Sequence, residues 1–241
     1  MVTESLRRPY RVTIPMVVLI LLVPLYLFIP QFAARRPNVP ALSLDSRIPL
    51  QPAWVLVYGS LYLFLILLPV FVVRQEELIR RTVFSYLTVW IAAYVCFFFY
   101  PTVAPRPDDT VIGEGFPVWG LRVLYSFDPP YNCFPSLHVA HSFVSALSSY
   151  RVHRGLGIGA SVCAFVVGLS TLFTRQHYIL DVVAGIFLAY LAYALFLRKA
   201  SREDVPEIDR RVAPALALVV IGIVVLVIGC YSVLYVLGVE V

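Results

Sequence analysis

Long apolar runs, broken by short charged or proline-rich connections, dominate the chain. Seven of them, at 13–31, 52–73, 82–100, 136–150, 155–173, 178–197 and 212–239, approach the length a bilayer demands. A hydrocarbon core about 30 Å thick takes about 20 residues at 1.5 Å each. In lipid the backbone has to satisfy its own hydrogen bonds, so each run is predicted to be a helix. The alternation over about ten residues that marks a membrane barrel is absent. The fourth run is short and polar, with Ser136, His138, His141, Ser142, Ser145, Ser148 and Ser149. It is predicted to be a helix that faces other helices rather than lipid. Ahead of it, Phe116 to Asp128 forms a short amphipathic stretch whose Trp119 and Tyr125 suit a membrane–water boundary. The first run follows Arg7, Arg8 and Arg11 and ends near Phe32-Ala33-Ala34, so a signal peptide is a second reading of it.

Composition agrees with this pattern. Hydrophobic residues make up 60% and charged residues 14%, and the mean hydropathy is +0.85. A soluble domain is about half apolar and a quarter charged. Disorder, a coiled coil and a soluble nucleic-acid binder are excluded, and the fold class is all-α, a polytopic integral membrane protein. The net charge of +5 reports orientation first. Thirteen basic residues fall at the N-terminus and in the connections after runs two, four and six, against six in the other connections. That bias sets the N-terminus in the cytoplasm, the C-terminus outside, and the connections after runs three and five on the outer face. Nearly all the basic residues are arginine, which hints at a prokaryotic plasma membrane. Residues 1–197 are expected to form one membrane unit, 198–211 a charged cytoplasmic linker, and 212–239 an additional helix. Cys96, Cys163 and Cys230 lie inside runs and Cys133 alone in an outer connection, so no disulfide framework is implied.

The candidate chemistry gathers in two outer connections. His177 and Asp181 are four apart and share a helical face. A carboxylate there accepts a proton from one imidazole nitrogen and leaves the other as nucleophile or base. Pro135-Ser136 reads as a helix start, whose unpaired N–H groups attract phosphate, with His138 in the first turn. Arg106 and Arg175 supply guanidinium forks that match phosphate geometry. Together these are the parts of a phosphoryl-transfer site. Arg175, two residues before His177, would point away on a continuous helix. Residues 174–176 are therefore expected to leave regular helix, with the Arg175 side chain folded back toward the His177 ring. His141 is expected to pack between helices, His153 to lie at the surface, and Asp108, Asp109, Glu114 and Asp128 to be solvated loop charges. A divalent metal held by His138, His177 and Asp181 is the alternative reading of the same residues.

At these residues the chain resembles the type 2 phosphatidic acid phosphatase superfamily, whose motifs are Lys-x6-Arg-Pro, Pro-Ser-Gly-His and Ser-Arg-x5-His-x3-Asp. The second appears as Pro135-Ser136-Leu137-His138, the third leaves Ser170, His177 and Asp181, and the first leaves Arg106-Pro107. The match covers roughly 52–197. Phe99 stands at the first motif's Lys, Thr171 at the third motif's Arg and Leu137 at the middle Gly. The wording Phe-Pro-Ser-Leu-His-Val and Gln-His-Tyr-x2-Asp-Val is similar to the branch holding inositol phosphorylceramide synthases, with sphingomyelin synthases more distant.

The resemblance implies a six-helix bundle with residues 212–239 added outside it. It implies catalysis by His177 as nucleophile forming a phospho-His, Asp181 orienting it, and His138 as acid and then base. Arg106, Arg175 and the helix start at Ser136 would hold the phosphoryl oxygens. No metal and no cofactor are expected. The substrate would be a lipid phosphate or phospholipid taken from the bilayer. Hydrolysis leads, headgroup transfer is the runner-up, and a transporter-like protein with a degenerate site is a third reading. The sequence leaves the lipid and the oligomeric state open.

Overall fold

The computed structural model describes residues 37–108, 113–201 and 205–239. The first apolar run, 13–31, lies outside them. Among the described residues there are seven α-helices and no strands. They are α1 Trp54–Val72, α2 Glu76–Phe99, α3 Phe116–Phe127, α4 Leu137–Val152, α5 Arg154–Phe173, α6 Ile179–Ala192 and α7 Glu207–Val236. A π-helical turn, Tyr193–Leu197, prolongs α6. The helices α1, α2, α5, α6 with its π turn, and α7 are each long and apolar enough to cross a membrane. The protein is an integral membrane protein.

The polar fourth run is a helix and lies at the centre. With 16 residues α4 reaches only about 24 Å. It packs against α1, α2, α5 and α6. Its serines are buried there instead of facing lipid, and three of them donate to carbonyls. The Ser142 hydroxyl donates to His138 O at 2.7 Å, Ser148 to Ser145 O at 2.9 Å, and Ser145 crosses to Leu65 O on α1. Small residues such as Ala140, Ala146, Ala160 and Ala164 are fully or almost fully buried and let the helix backbones approach closely.

His153 alone separates α4 from α5. Expected at the surface, it is half-buried and its Nδ1 accepts from Leu156 N at 3.1 Å, capping α5. The hairpin closes tightly because Gly157 sits on Tyr150, where a Cβ would meet the Tyr150 Cα at 2.2 Å.

Two boundaries differ from expectation. α2 starts at Glu76 rather than 82, because Glu77 binds Arg81 at 2.8 Å and also Arg80, which extends the helix beyond its apolar run. α7 starts at Glu207 rather than 212, so Arg210 and Arg211 are helical instead of linker. α7 lies along α1, and its C-terminal end meets the amphipathic α3. There Trp119 Nε1 donates to Val239 O at 2.9 Å, and Phe116 stacks obliquely on Tyr235 at 5.3 Å between ring centres.

The bundle has two chemically distinct ends. At one, Arg81 of α2 donates to Phe196 O at 3.0 Å and Arg151 of α4 to Arg198 O at 2.9 Å. At the other meet the end of α2, the starts of α4 and α6, and α3.

Candidate active site

The starts of α4 and α6 are joined by their own backbones. Ser136 is the N-cap of α4, and its Oγ accepts from Val139 N at 3.3 Å. Its N–H donates to the Asp181 carbonyl of α6 at 3.0 Å. The Phe134–Pro135 peptide bond leading into this cap is cis. On the α6 side, Asp181 Oδ2 accepts from Tyr178 N at 2.9 Å, so the carboxylate caps its own helix. Gly185, one turn further, lets α6 lie directly on α4: a Cβ there would meet Ser136 O at 2.6 Å.

This junction aligns the three residues the motif spacing singles out. Asp181 Oδ2 lies 3.3 Å from His177 Nδ1, and His177 Nε2 lies 3.1 Å from His138 Nδ1. Asp181 is fully buried and His177 nearly so, whereas His138 is half-buried. Tyr58 and Tyr62 of α1 stand edge-on against the His138 ring, with centres 5.5 and 5.1 Å away. His141 faces the other way. It stacks on Trp90 at 5.2 Å, accepts from the Trp90 indole N–H, and lies 3.4 Å from Tyr62 Oη. Packing between helices, as expected, is its role here.

Arg106 comes to the same end of the bundle. Its guanidinium lies over the Tyr125 ring at 4.4 Å and donates to Tyr125 O at 3.1 Å and Asp128 O at 2.6 Å. These are carbonyls at the C-terminal end of α3, where the helix dipole favours a cation. The Asp128 carboxylate is 3.6 Å from the same guanidinium and accepts from Gln176 Nε2 at 3.0 Å. Asp128 is therefore not the solvated loop charge expected. Its side chain is only 14% exposed.

Residues 174–176 do leave regular helix, and Arg175 has φ +53°. The direction of its side chain is not the one expected. The fork donates to Asp45 O at 3.2 Å and to Ile48 O, and no hydrogen bond in the structure joins it to His177. The positive φ turns the side chain away from α6 toward the 45–48 loop. That loop answers in kind: the buried Asp45 carboxylate accepts from Ile179 N at 2.9 Å and Leu42 N at 2.7 Å. Asp45 thus caps α6 from far away in sequence. Asp45 and Asp128 are the two residues that sequence reasoning missed.

Cys133 completes the surroundings. It is 2% exposed, and its Sγ lies with ligand atoms of His177 and Asp181 inside a 4.8 Å span. Such a trio could hold a metal ion. Burial first, then the Asp181 and Asp128 carboxylates, push the Cys133 thiol well above its ordinary range. The arrangement as a whole can orient one imidazole through a carboxylate, present a second imidazole to it, and offer a clamped guanidinium nearby.

A family model described as the PAP2 superfamily matches residues 36–195. The chain is 29% identical over 125 residues to a PA-phosphatase related-family protein of Dictyostelium discoideum, a match that covers 46% of this chain and 22% of that one. It is 27% identical over 104 residues to an uncharacterized protein of Methanocaldococcus jannaschii, covering 43% and 41% respectively. The chain thus spans well under half the length of these two relatives. No solved structure matches.

Proposed function

The chain belongs to the PAP2 superfamily, and from that premise we propose that it is a membrane enzyme of lipid phosphate chemistry working through a phospho-histidine on His177. The observation that carries this reading is the contact chain Asp181–His177–His138, at 3.3 and 3.1 Å. Asp181 accepts from Nδ1–H of His177, which leaves the Nε2 lone pair for attack. Nε2 bonds to phosphorus, the bond to the leaving oxygen breaks, and His138 gives that oxygen a proton. His138 then takes a proton from the incoming water or alcohol. The new oxygen bonds to phosphorus, the phosphorus–nitrogen bond breaks, and His177 is restored. Phosphorus has to enter between the two rings, so the His138–His177 contact opens when lipid binds.

Arg106, already oriented by the α3 carbonyls, holds the phosphoryl oxygens and stabilises charge in the transition state. The start of α4, capped by Ser136, adds its dipole. Arg175, expected as a second phosphate ligand, acts in this reading through the 45–48 loop, fixing the turn that carries His177. The site opens at the non-cytoplasmic face, a reading supported by the basic residues at the opposite end of the bundle.

Headgroup transfer to a lipid alcohol is the second reading. Phe99 and Thr171 favour it. They stand where the superfamily's motifs carry phosphate-binding Lys and Arg, Phe99 is 78% exposed, and the Thr171 hydroxyl is turned to Gly168 O at 2.8 Å.

The test uses purified protein, phosphatidic acid, excess chelator, and a lipid alcohol in parallel. His177→Ala should lose turnover by orders of magnitude. Retention of more than about a tenth of normal activity would sink the mechanism. Loss in chelator, restored by one divalent metal, would instead make Cys133, His177 and Asp181 a metal site. A new phospholipid formed from the alcohol would favour transfer over hydrolysis.

A further inference from the structure

A site for a phosphomonoester has to compensate close to two negative charges at pH 8, and a site for a phosphodiester only one. Among the described residues the cationic side of this site is thin. Phe99 and Thr171 occupy two positions where the superfamily motifs carry cations, and the Arg175 fork is engaged by the Asp45 and Ile48 carbonyls. Arg106 remains, and Asp128 stands against it at 3.6 Å. Both side chains are largely withdrawn from solvent, at 13% and 14% exposure, so neither charge is well screened by water. Asp128 is also tied to the catalytic segment, since it accepts from Gln176, the residue before His177.

We infer that Asp128 is a built-in counter-ion to Arg106 that tunes the site to a monoanionic phosphodiester headgroup and against a dianionic phosphomonoester. This rests on the phosphoryl-transfer reading of the His138–His177–Asp181 centre. Asp128 touches no reacting atom in this account; it is a specificity residue that acts through charge. A monoanion meets Arg106 with the pair's field nearly balanced. The second charge of a monoester meets two carboxylates largely withdrawn from solvent, Asp128 and Asp181, against the Arg106 guanidinium, the cation paired with Asp128 among the described residues. For a charge taken to lie about 6 Å from a bound phosphoryl group, at an effective dielectric of about 20, its removal changes affinity for that second charge about ten- to a hundredfold.

The experiment compares wild-type and Asp128→Asn chains at pH 8 with two small probes, inorganic phosphate and dimethyl phosphate, by titration calorimetry. The same proteins are then assayed on phosphatidic acid and phosphatidylglycerol with identical acyl chains. Asn keeps the size of the side chain and removes the charge. The variant should raise the affinity ratio of phosphate to dimethyl phosphate at least about tenfold, and should move the ratio of kcat/KM values toward the monoester. A merely structural role would weaken both probes and both lipids alike. That result, or unchanged ratios, overturns the proposal. Arg106→Gln should move the affinity ratio the opposite way, which keeps the proposal open to refutation if Asp128→Asn does not fold. If the probe ratio moves but wild-type protein turns over neither lipid, the charge tuning stands and the enzymatic reading fails.

Discussion

Gly185 is the point at which the fold and the reaction are most directly coupled. Adding one methyl group there, in Gly185→Ala, brings Cβ to 2.6 Å from Ser136 O, 3.2 Å from Val139 Cβ and 3.4 Å from Ala140 N. Ordinary contact begins at 3.4 Å, so α4 and α6 have to part by about 0.8 Å at this level. The closest obstructing atom, Ser136 O, is backbone, so no side-chain rotation relieves the clash. The displaced residues sit within one turn of His138 on α4 and of Asp181 on α6. An error of about 1 Å in positioning reacting groups costs on the order of a hundredfold in rate. Overpacking of this kind costs about 1–3 kcal/mol in stability. Gly185→Ala is therefore expected to lose about ten- to a hundredfold in kcat while the protein remains folded in detergent. The control is Gly157→Ala, which meets Tyr150 Cα at 2.2 Å at the opposite end of α4. It should lower the unfolding temperature at least as much, yet leave kcat per folded molecule within about threefold, because the strain lies far from the junction. Phosphate release and thermal unfolding of both variants decide the matter. Normal kcat in Gly185→Ala, or equal kcat losses in the two, would refute the idea that helix spacing at Ser136 sets the catalytic geometry.

Two further outcomes follow from the surroundings of the site. Asp45→Ala removes the acceptor for Ile179 N and Leu42 N, so it should cost about 1 kcal/mol as a lost helix cap. It should also lower kcat more than it raises KM, as steady-state kinetics would register. Equal effects on both would mean that the 45–48 loop contacts substrate directly. Cys133 is held neutral in the folded state by burial and nearby carboxylates. Its thiol should resist alkylation by a maleimide at pH 7–8 and react only on unfolding, and mass spectrometry of the labelled peptides would check this. The sign for stability follows from the raised thiol. In the unfolded chain the thiol ionises above its ordinary value of 9.0 while in the folded one it does not, so stability should fall as pH rises past that point. Rapid labelling of Cys133 in the native protein would show that the site is open to water.

Hydropathy made the spanning helices legible, because in lipid the apolar run is itself the structural requirement. The polar α4 was legible for the complementary reason: its serines and histidines exclude a lipid-facing position, and the bundle centre is what remains. His138, His177 and Asp181 could be picked out because two of them share a helical period and the third follows a helix start. Asp128 and Asp45 could not. Each looks like an ordinary loop acid, and what buries it lies elsewhere in the chain, at Arg106 and Gln176 for one and at Ile179 for the other. The turn at Arg175 was half legible. The two-residue spacing to His177 demanded a break in the helix, but the direction of the side chain depended on a loop about 130 residues away in sequence. Interactions of that kind have no local signature.

The central claim is that His177 carries the phosphoryl group between the two halves of the reaction. The most direct measurement is rapid quenching of the enzyme with lipid labelled with radioactive phosphorus in the transferred group, followed by proteolysis and mass spectrometry of the labelled peptide. The account predicts an acid-labile, base-stable label on His177 that forms faster than product is released, accumulates in wild-type enzyme or in a variant slowed at His138, and is absent from His177→Ala. Product formation at the normal rate with no such label, or a label on another residue, would contradict it.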